Sequence, residues 1–160
     1  MADTLWNFAA ASFKRADIAE GCLQLQDEAG ADVNMLLTAA WLAAQDRGWR
    51  RDQIEELIAM CTSWRAHCVL PLRAVRRYLK GQIEIGALHT HAKALELEAE
   101  KLQLDHIQSA LRLIDSEGSD VPMATLLAAN LQAYLECIAI SNDQLAKIEC
   151  TALVEALLRK

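Results

Sequence analysis

The chain has 160 residues, 53% hydrophobic and only 5% aromatic, with six glycines, two prolines and a formal net charge of -6. That length fits one domain spanning residues 1–160, long enough to bury about two-thirds of its unfolded surface. Scarce turn formers favour helices over a turn-rich sheet, and the acidity speaks against a bulk nucleic-acid binder.

A first helix is expected from about Thr4 to Lys14, with Asp3 or Thr4 as its cap and Leu5, Phe8, Ala9 and Phe13 on one face, which Trp6 widens. Asp17-Ile18-Ala19-Glu20 predicts a capping-box start for helix two, which carries Ile18, Cys22, Leu25 and Ala29 at helical spacing until Gly30 supplies a left-handed stop. Asp32 is then placed to cap helix three. That helix carries Val33, Leu36, Leu37, Ala40, Trp41 and Ala44 on one stripe and is expected to stop at Gly48, where Arg47, Arg50 and Arg51 suit its negative end.

Asp52-Gln53-Ile54-Glu55 predicts another capping box. From Ile54 through Leu57, Cys61, Trp64, Cys68, Leu72, Val75 and Leu79 the apolar spacing of three or four runs on past Pro71. One long helix kinked at Pro71 is therefore expected, since an interior proline costs about 3 kcal/mol yet the pattern continues. Gly81 to Gly86 breaks the chain. Beyond it Ile85, Leu88, Ala92, Leu95, Ala99, Leu102, His106, Ser109 and Leu113 keep a heptad, with a second seam at Leu97, Leu104, Ile107, Leu111 and Ile114. A helix apolar on two sides is either sandwiched in the bundle or packed on another subunit, so a homodimer through residues 85–114 is one expectation.

Asp115 to Asp120 reads as a loop. Pro122 then opens a helix bearing Met123, Leu127, Leu131, Tyr134 and Ile138, and Ser141-Asn142-Asp143-Gln144 caps a last helix with Leu145, Ile148, Ala152, Ala156 and Leu157. The fold class is all-α, a single bundle of six to seven helices.

The longest uncharged run, Val121 to Leu135, is shorter than the roughly 20 apolar residues of a membrane span. Residues 1–4 open no secretory signal, so a cytoplasmic chain starting near Met1 is expected. The cysteines are odd in number, lack a C-x-x-C pair and fall in helical patterns. They read as packed, reduced thiols.

Trp6-x-Phe8, Cys22-Leu23-x-Leu25-Gln26-Asp27, Gly30-x-Asp32-Val33-Asn34-x-Leu36-Leu37, Trp41-Leu42, Trp64-Arg65 and Pro71-Leu72-Arg73-x-x-Arg76-Arg77-x-Leu79-Lys80 form a recognisable set. Glu96-Leu97-x-Ala99-Glu100 and Asn130-Leu131-x-x-Tyr134-Leu135 extend it. Together they resemble a bacterial domain-of-unknown-function family of short, all-helical cytoplasmic proteins. Where that family tends to show an aromatic and a Pro-Gly turn after helix one, this chain reads Phe13-Lys14-Arg15-Ala16-Asp17-Ile18. The resemblance implies compartment and kinship, and no reaction or cofactor.

Three constellations bear on function. Asp27, Glu28 and Asp32, with Asn34 nearby, have the oxygen chemistry of a hard-cation site, but they straddle a loop in which Gly30 and Asp32 already have capping roles, so no metal or cofactor is expected. Gln24, Gln26 and Asn34 stand among apolar residues and need partners when buried, either as a polar network between helices two and three or as the wall of a polar pocket with Asp27 and Asp32.

No acid lies between Glu56 and Glu84, while Arg73, Arg76, Arg77 and Lys80 recur along one face. That basic stripe suits an acidic protein or an RNA-containing partner. Its bland alternative is an internal match to Glu96, Glu98 and Glu100 on the next helix. Trp49, beside Arg47, Arg50 and Arg51, reads as a half-exposed anchor for a partner. With no phosphate loop, nucleophile elbow or zinc motif in the chain, the expected function is a non-enzymatic cytoplasmic adaptor or regulator using Arg73, Arg76, Arg77, Lys80 and Trp49. The alternative is a small-ligand or divalent-metal-binding protein or enzyme with a polar pocket near Asp27, Asp32 and Asn34.

Overall fold

The computed structural model describes residues 4–82, 85–113, 118–139 and 150–159. Its helices are α1 (Leu5–Phe13), α2 (Ala16–Ala29), α3 (Val33–Ala43), α4 (Arg51–Trp64), a π-helical turn (Arg65–Val69), α5 (Leu70–Leu79), α6 (Gly86–Arg112), α7 (Met123–Ile138) and α8 (Thr151–Leu158). Among the described residues there is no strand, only an isolated bridge between Arg47 and Gly118. The expected all-α bundle is the fold. The Ser141 capping box, with Leu145 and Ile148, lies outside the described residues.

α3 is the axis. Every residue from Asn34 to Ala43 is buried, and the helix packs on α1, α2, α6 and α7; a helix apolar on all sides has no solvent face to present. Its start is local chemistry. Gly30 ends α2 in the left-handed region (φ 68°), its N–H donating to Gln26 O at 3.0 Å, while Asp32 Oδ1 accepts from Asn34 N at 3.0 Å. Nothing lies within 4 Å of where a Gly30 Cβ would stand. Gly30→Ala is therefore expected to cost about 1–2 kcal/mol of backbone strain alone, with Gly30→Asn recovering part of it, in urea melts followed by circular dichroism.

Several boundaries differ from the sequence reading. α2 starts at Ala16, ahead of the expected box; Asp17 instead accepts from Arg15 Nη2 at 2.9 Å, and the same guanidinium donates to Ala156 O and Arg159 O, pinning the C-terminal end of α8. α3 stops at Ala43, and the left-handed residue after it is Asp46 (φ 55°), not Gly48. α4 begins at Arg51, with Gln53 Oε1 accepting from Arg50 N at 2.8 Å.

The helix does run on through Pro71, by a device the spacing did not reveal. A proline has no N–H and its ring collides with the carbonyl four residues back. Here the preceding turn widens, so that Leu70 N–H bonds to Arg65 O, five residues back. A π turn takes in one extra residue and rotates everything after it by about 100°. The apolar phase is consequently kept only in part: Leu79 is buried and Leu72 half-buried, but Val75 is exposed, while Arg73 and Arg76 swing toward α6.

α6 buries Ala92 and Ala99 of the expected heptad and Leu104, Ile107 and Leu111 of the second seam, but adds Glu96 and Gln103 to that face. The buried stripe is Ala92, Glu96, Ala99, Gln103 and Ile107, joined by Leu104 and Leu111. Leu88, Leu95, Leu102 and Leu113 of the expected heptad are exposed, as is Leu97 of the second seam; Ile114 lies outside the described residues. Two carboxylate or amide positions facing inward cover the demands of buried polar partners on α3 and α5, which outweigh the burial of exposed leucines.

Candidate functional site

The rotated face of α5 meets α6 in a charge cluster. Arg73 Nε donates to Glu96 Oε1 at 2.9 Å, Nη2 to Glu100 Oε1 at 2.7 Å and Nη1 to Gln26 Oε1 on α2 at 2.7 Å. Arg76 Nε donates to Glu96 Oε2. Burial acts to raise the Glu96 carboxyl, but hydrogen bonds from Arg76 and Arg73 outweigh it and hold the group below its usual range. Glu100 goes the other way: burial raises it, and Arg73 offsets only part of that. Arg73 keeps its proton more tightly because its two carboxylate bonds exceed the burial penalty.

Beside this cluster opens a cleft of about 690 Å³. Trp6, Ala9, Ala10 and Phe13 of α1, Leu23 of α2, Val33 and Leu37 of α3 and Leu97 and Leu104 of α6 form its apolar wall. Gln26, Asn34, Arg73, Glu96 and Glu100 supply a polar strip, and Lys14, Arg76, Arg77 and Lys93 complete the lining. Among the described residues Lys14, Arg77 and Lys93 make no ion pair with an acid, whereas Arg73 and Arg76 are paired.

Behind the cleft, Asn34 Nδ2 donates to Gln103 Oε1 at 3.2 Å, and Gln103 Nε2 to Asp32 Oδ2 at 2.6 Å. Tyr134 Oη accepts from Asp32 N at 2.7 Å, and Arg65 Nε stands 3.9 Å from Asp32 Oδ2. Asp32 thus caps α3 and ties it to α6 and α7.

The sequence-predicted residues are divided by this geometry. Gln26 and Asn34 reach the cleft. Asp32 is buried behind it, while Asp27 and Glu28 lie exposed on the other side of Gly30, so the three acids form no common site. Gln24 is exposed and bonds Glu28, contrary to its expected place in a buried network. Among the described residues no three His, Cys, Asp or Glu side chains are grouped as metal ligands. Arg73 and Arg76 make the internal match to Glu96 and Glu100. Arg77 lines the cleft and Lys80 is exposed.

Trp49 needs the largest correction. It is 8% exposed, its indole N–H donates to Asn130 O at 2.9 Å, and its ring lies 6.4 Å from that of Tyr134. Asn130 Nδ2 in turn donates to Ala39 O and Arg47 O. The tryptophan locks the α3–α4 connection onto α7 and offers nothing to a partner.

Burial pushes the Cys22 thiol up to about 12 and the Cys61 thiol up to about 11, the chemistry of packed thiols rather than nucleophiles. Sequence reasoning missed Lys14, Lys93, Glu96 and Glu100 as cleft residues. The available signal was α1, whose Trp6, Ala9, Ala10 and Phe13 spread wider than one core stripe needs.

Residues 4–107 match the model of DUF2390, a family described as proteins of unknown function. The chain belongs to this family. All the cleft-lining residues, Trp6 to Leu104, fall inside the DUF2390 span, whereas α7 and α8 fall outside it. No curated protein and no solved structure matches the chain. No helix among the described residues is long and apolar enough to cross a membrane.

Proposed function

We propose that this DUF2390 protein is a non-enzymatic binding protein whose cleft holds a small amphipathic anion, an apolar body carrying a single anionic end. One observation carries the reading. An apolar cleft of about 690 Å³ has Lys14, Arg77 and Lys93 on its lining, without acidic partners among the described residues. Small-ligand sites are largely apolar hollows of this size with a few convergent polar groups. The apolar body lies against Trp6, Phe13, Leu23 and Leu97, and the anion sits toward the three cations.

The adaptor reading has less support. A basic stripe docking an acidic protein or an RNA-containing partner keeps only Arg77 and Lys80 without an ion pair among the described residues.

Decanoate below its micellar concentration, decanol and a short acidic amphipathic peptide are to be titrated in parallel, with melting temperature and the tryptophan fluorescence lost in Trp6→Phe as readouts. Decanoate is expected to raise stability by about 2.7 kcal/mol at a hundredfold excess over its Kd, and the double variant Arg77→Glu, Lys93→Glu to lose that shift. An equal response to decanol removes the anionic requirement. A response to the peptide alone returns the adaptor reading, and no response to any of the three ends the cleft proposal.

A further inference from the structure

α6 carries a second feature that the cleft does not use. Leu88, Leu95 and Leu102 are 53%, 52% and 42% exposed. Their seven-residue spacing returns each side chain to within about 20° of the last, so they form one ladder along the helix. Leu97, on the cleft wall, stands two residues and about 200° from Leu95, so the ladder occupies the opposite edge of α6. α5, which packs along α6, exposes Val75 and Tyr78 as well. Single exposed leucines are ordinary on a soluble surface, whereas a heptad row of them is the pattern of a helix–helix seam.

We propose that the Leu88–Leu95–Leu102 ladder joins two copies of this chain, paired antiparallel about Leu95. The two-fold axis puts Leu95 against Leu95 of the second copy and Leu88 against its Leu102, a self-complementary arrangement with every rung filled. The exposed polar side chains favour this occupant and this direction. His91 and Glu98 flank the ladder on the same side, about 40° and 60° from Leu95. In the antiparallel register His91 of each copy meets Glu98 of the other within one residue's rise, giving two imidazole–carboxylate contacts per dimer. A parallel pair instead carries the flanking rows of the two copies to opposite sides of the seam, so that no His91–Glu98 contact forms, and aligns the helix dipoles, which is repulsive. Because the ladder and the cleft lie on opposite edges of α6, both clefts stay open in the dimer.

Sedimentation velocity of the full chain at micromolar concentrations tests the association, and directed cross-linking tests its direction. The wild type is expected to sediment as a dimer. Leu95→Glu should sediment as a monomer with unchanged helical circular dichroism, since that side chain is half exposed and the fold does not depend on it. With diamide as oxidant, and the wild type's own cysteines as the blank, Leu95→Cys should give a covalent dimer. Leu88→Cys alone should not, while Leu88→Cys mixed with Leu102→Cys should. A monomeric wild type, or a Leu95→Glu variant that still dimerises, overturns the seam. Cross-linking of Leu88→Cys with itself as readily as Leu95→Cys overturns the antiparallel pairing.

Discussion

Arg73→Ala is expected to lower the unfolding free energy by about 3 kcal/mol, because it takes the cation from Glu100 and leaves Glu96 with Arg76 alone. The side chain is 13% exposed and Glu96 7%, so solvent does little to replace the lost partner. The cost arises from stranded charge, which a compensating variant can test. Arg73→Met combined with Glu100→Gln removes the charges of that pair together, leaves Glu96 on Arg76, and should recover most of the stability in urea melts. A double variant as unstable as Arg73→Ala would show that packing of the guanidinium, rather than charge, holds α5 to α6.

The two glutamates of that cluster are not equivalent, and pH separates them. Glu96 titrates below its ordinary 4.5 in the folded chain, so its stabilisation is complete above 4.5 and is lost as pH falls through the lower, folded value. Glu100 titrates above 4.5. The folded state therefore binds its proton more tightly than the unfolded chain does, and its contribution rises as pH falls through that raised value. At neutral pH Glu96→Gln should accordingly destabilise more than Glu100→Gln, whose neutral amide resembles the protonated acid the fold prefers. Denaturant midpoints for the two variants across the acidic range give the comparison.

Trp49→Ala is the second large effect, about 3–5 kcal/mol for truncating a buried aromatic, which for a chain of this size lowers the melting temperature by on the order of 10 °C. The indole N–H donates to Asn130 O, and the ring fills space beside Tyr134. Trp49→Phe should keep most of the packing while losing the indole's bond to a carbonyl that already serves α7, at about 1 kcal/mol. Calorimetry of the two variants separates volume from hydrogen bond. Wild-type stability in Trp49→Ala would restore the reading of an exposed anchor.

The difficulty with Trp49 in the sequence was its company. Gly48 and three arginines suggested a surface turn, and Arg47, Arg50 and Arg51 are indeed not buried. The tryptophan among them is covered because Asn130, 81 residues away, supplies an acceptor. No local pattern carries that information. Gln26 and Asn34 were legible for the opposite reason, since an amide inside an apolar run must find partners wherever the run is buried.

Local chemistry in the chain determined the helical class, the Gly30 stop and Asp32 start between α2 and α3, the all-round apolar α3 and the continuity of the helix through Pro71. Each follows from backbone sterics, capping or apolar spacing within about ten residues. Tertiary structure decided which way the long helices face. The π turn before Pro71 reset the phase of α5 by one residue, carrying Arg73 and Arg76 inward, and α6, with apolar residues on several sides, took the orientation that brought Glu96, Glu100 and Gln103 to them and to Asn34. Sequence periodicity assumes an unbroken turn of 3.6 residues, and that assumption fails where one extra residue enters the helix. The cleft formed along the edge of that shifted contact, which is why its cations and its apolar wall come from helices that no spacing pattern connects.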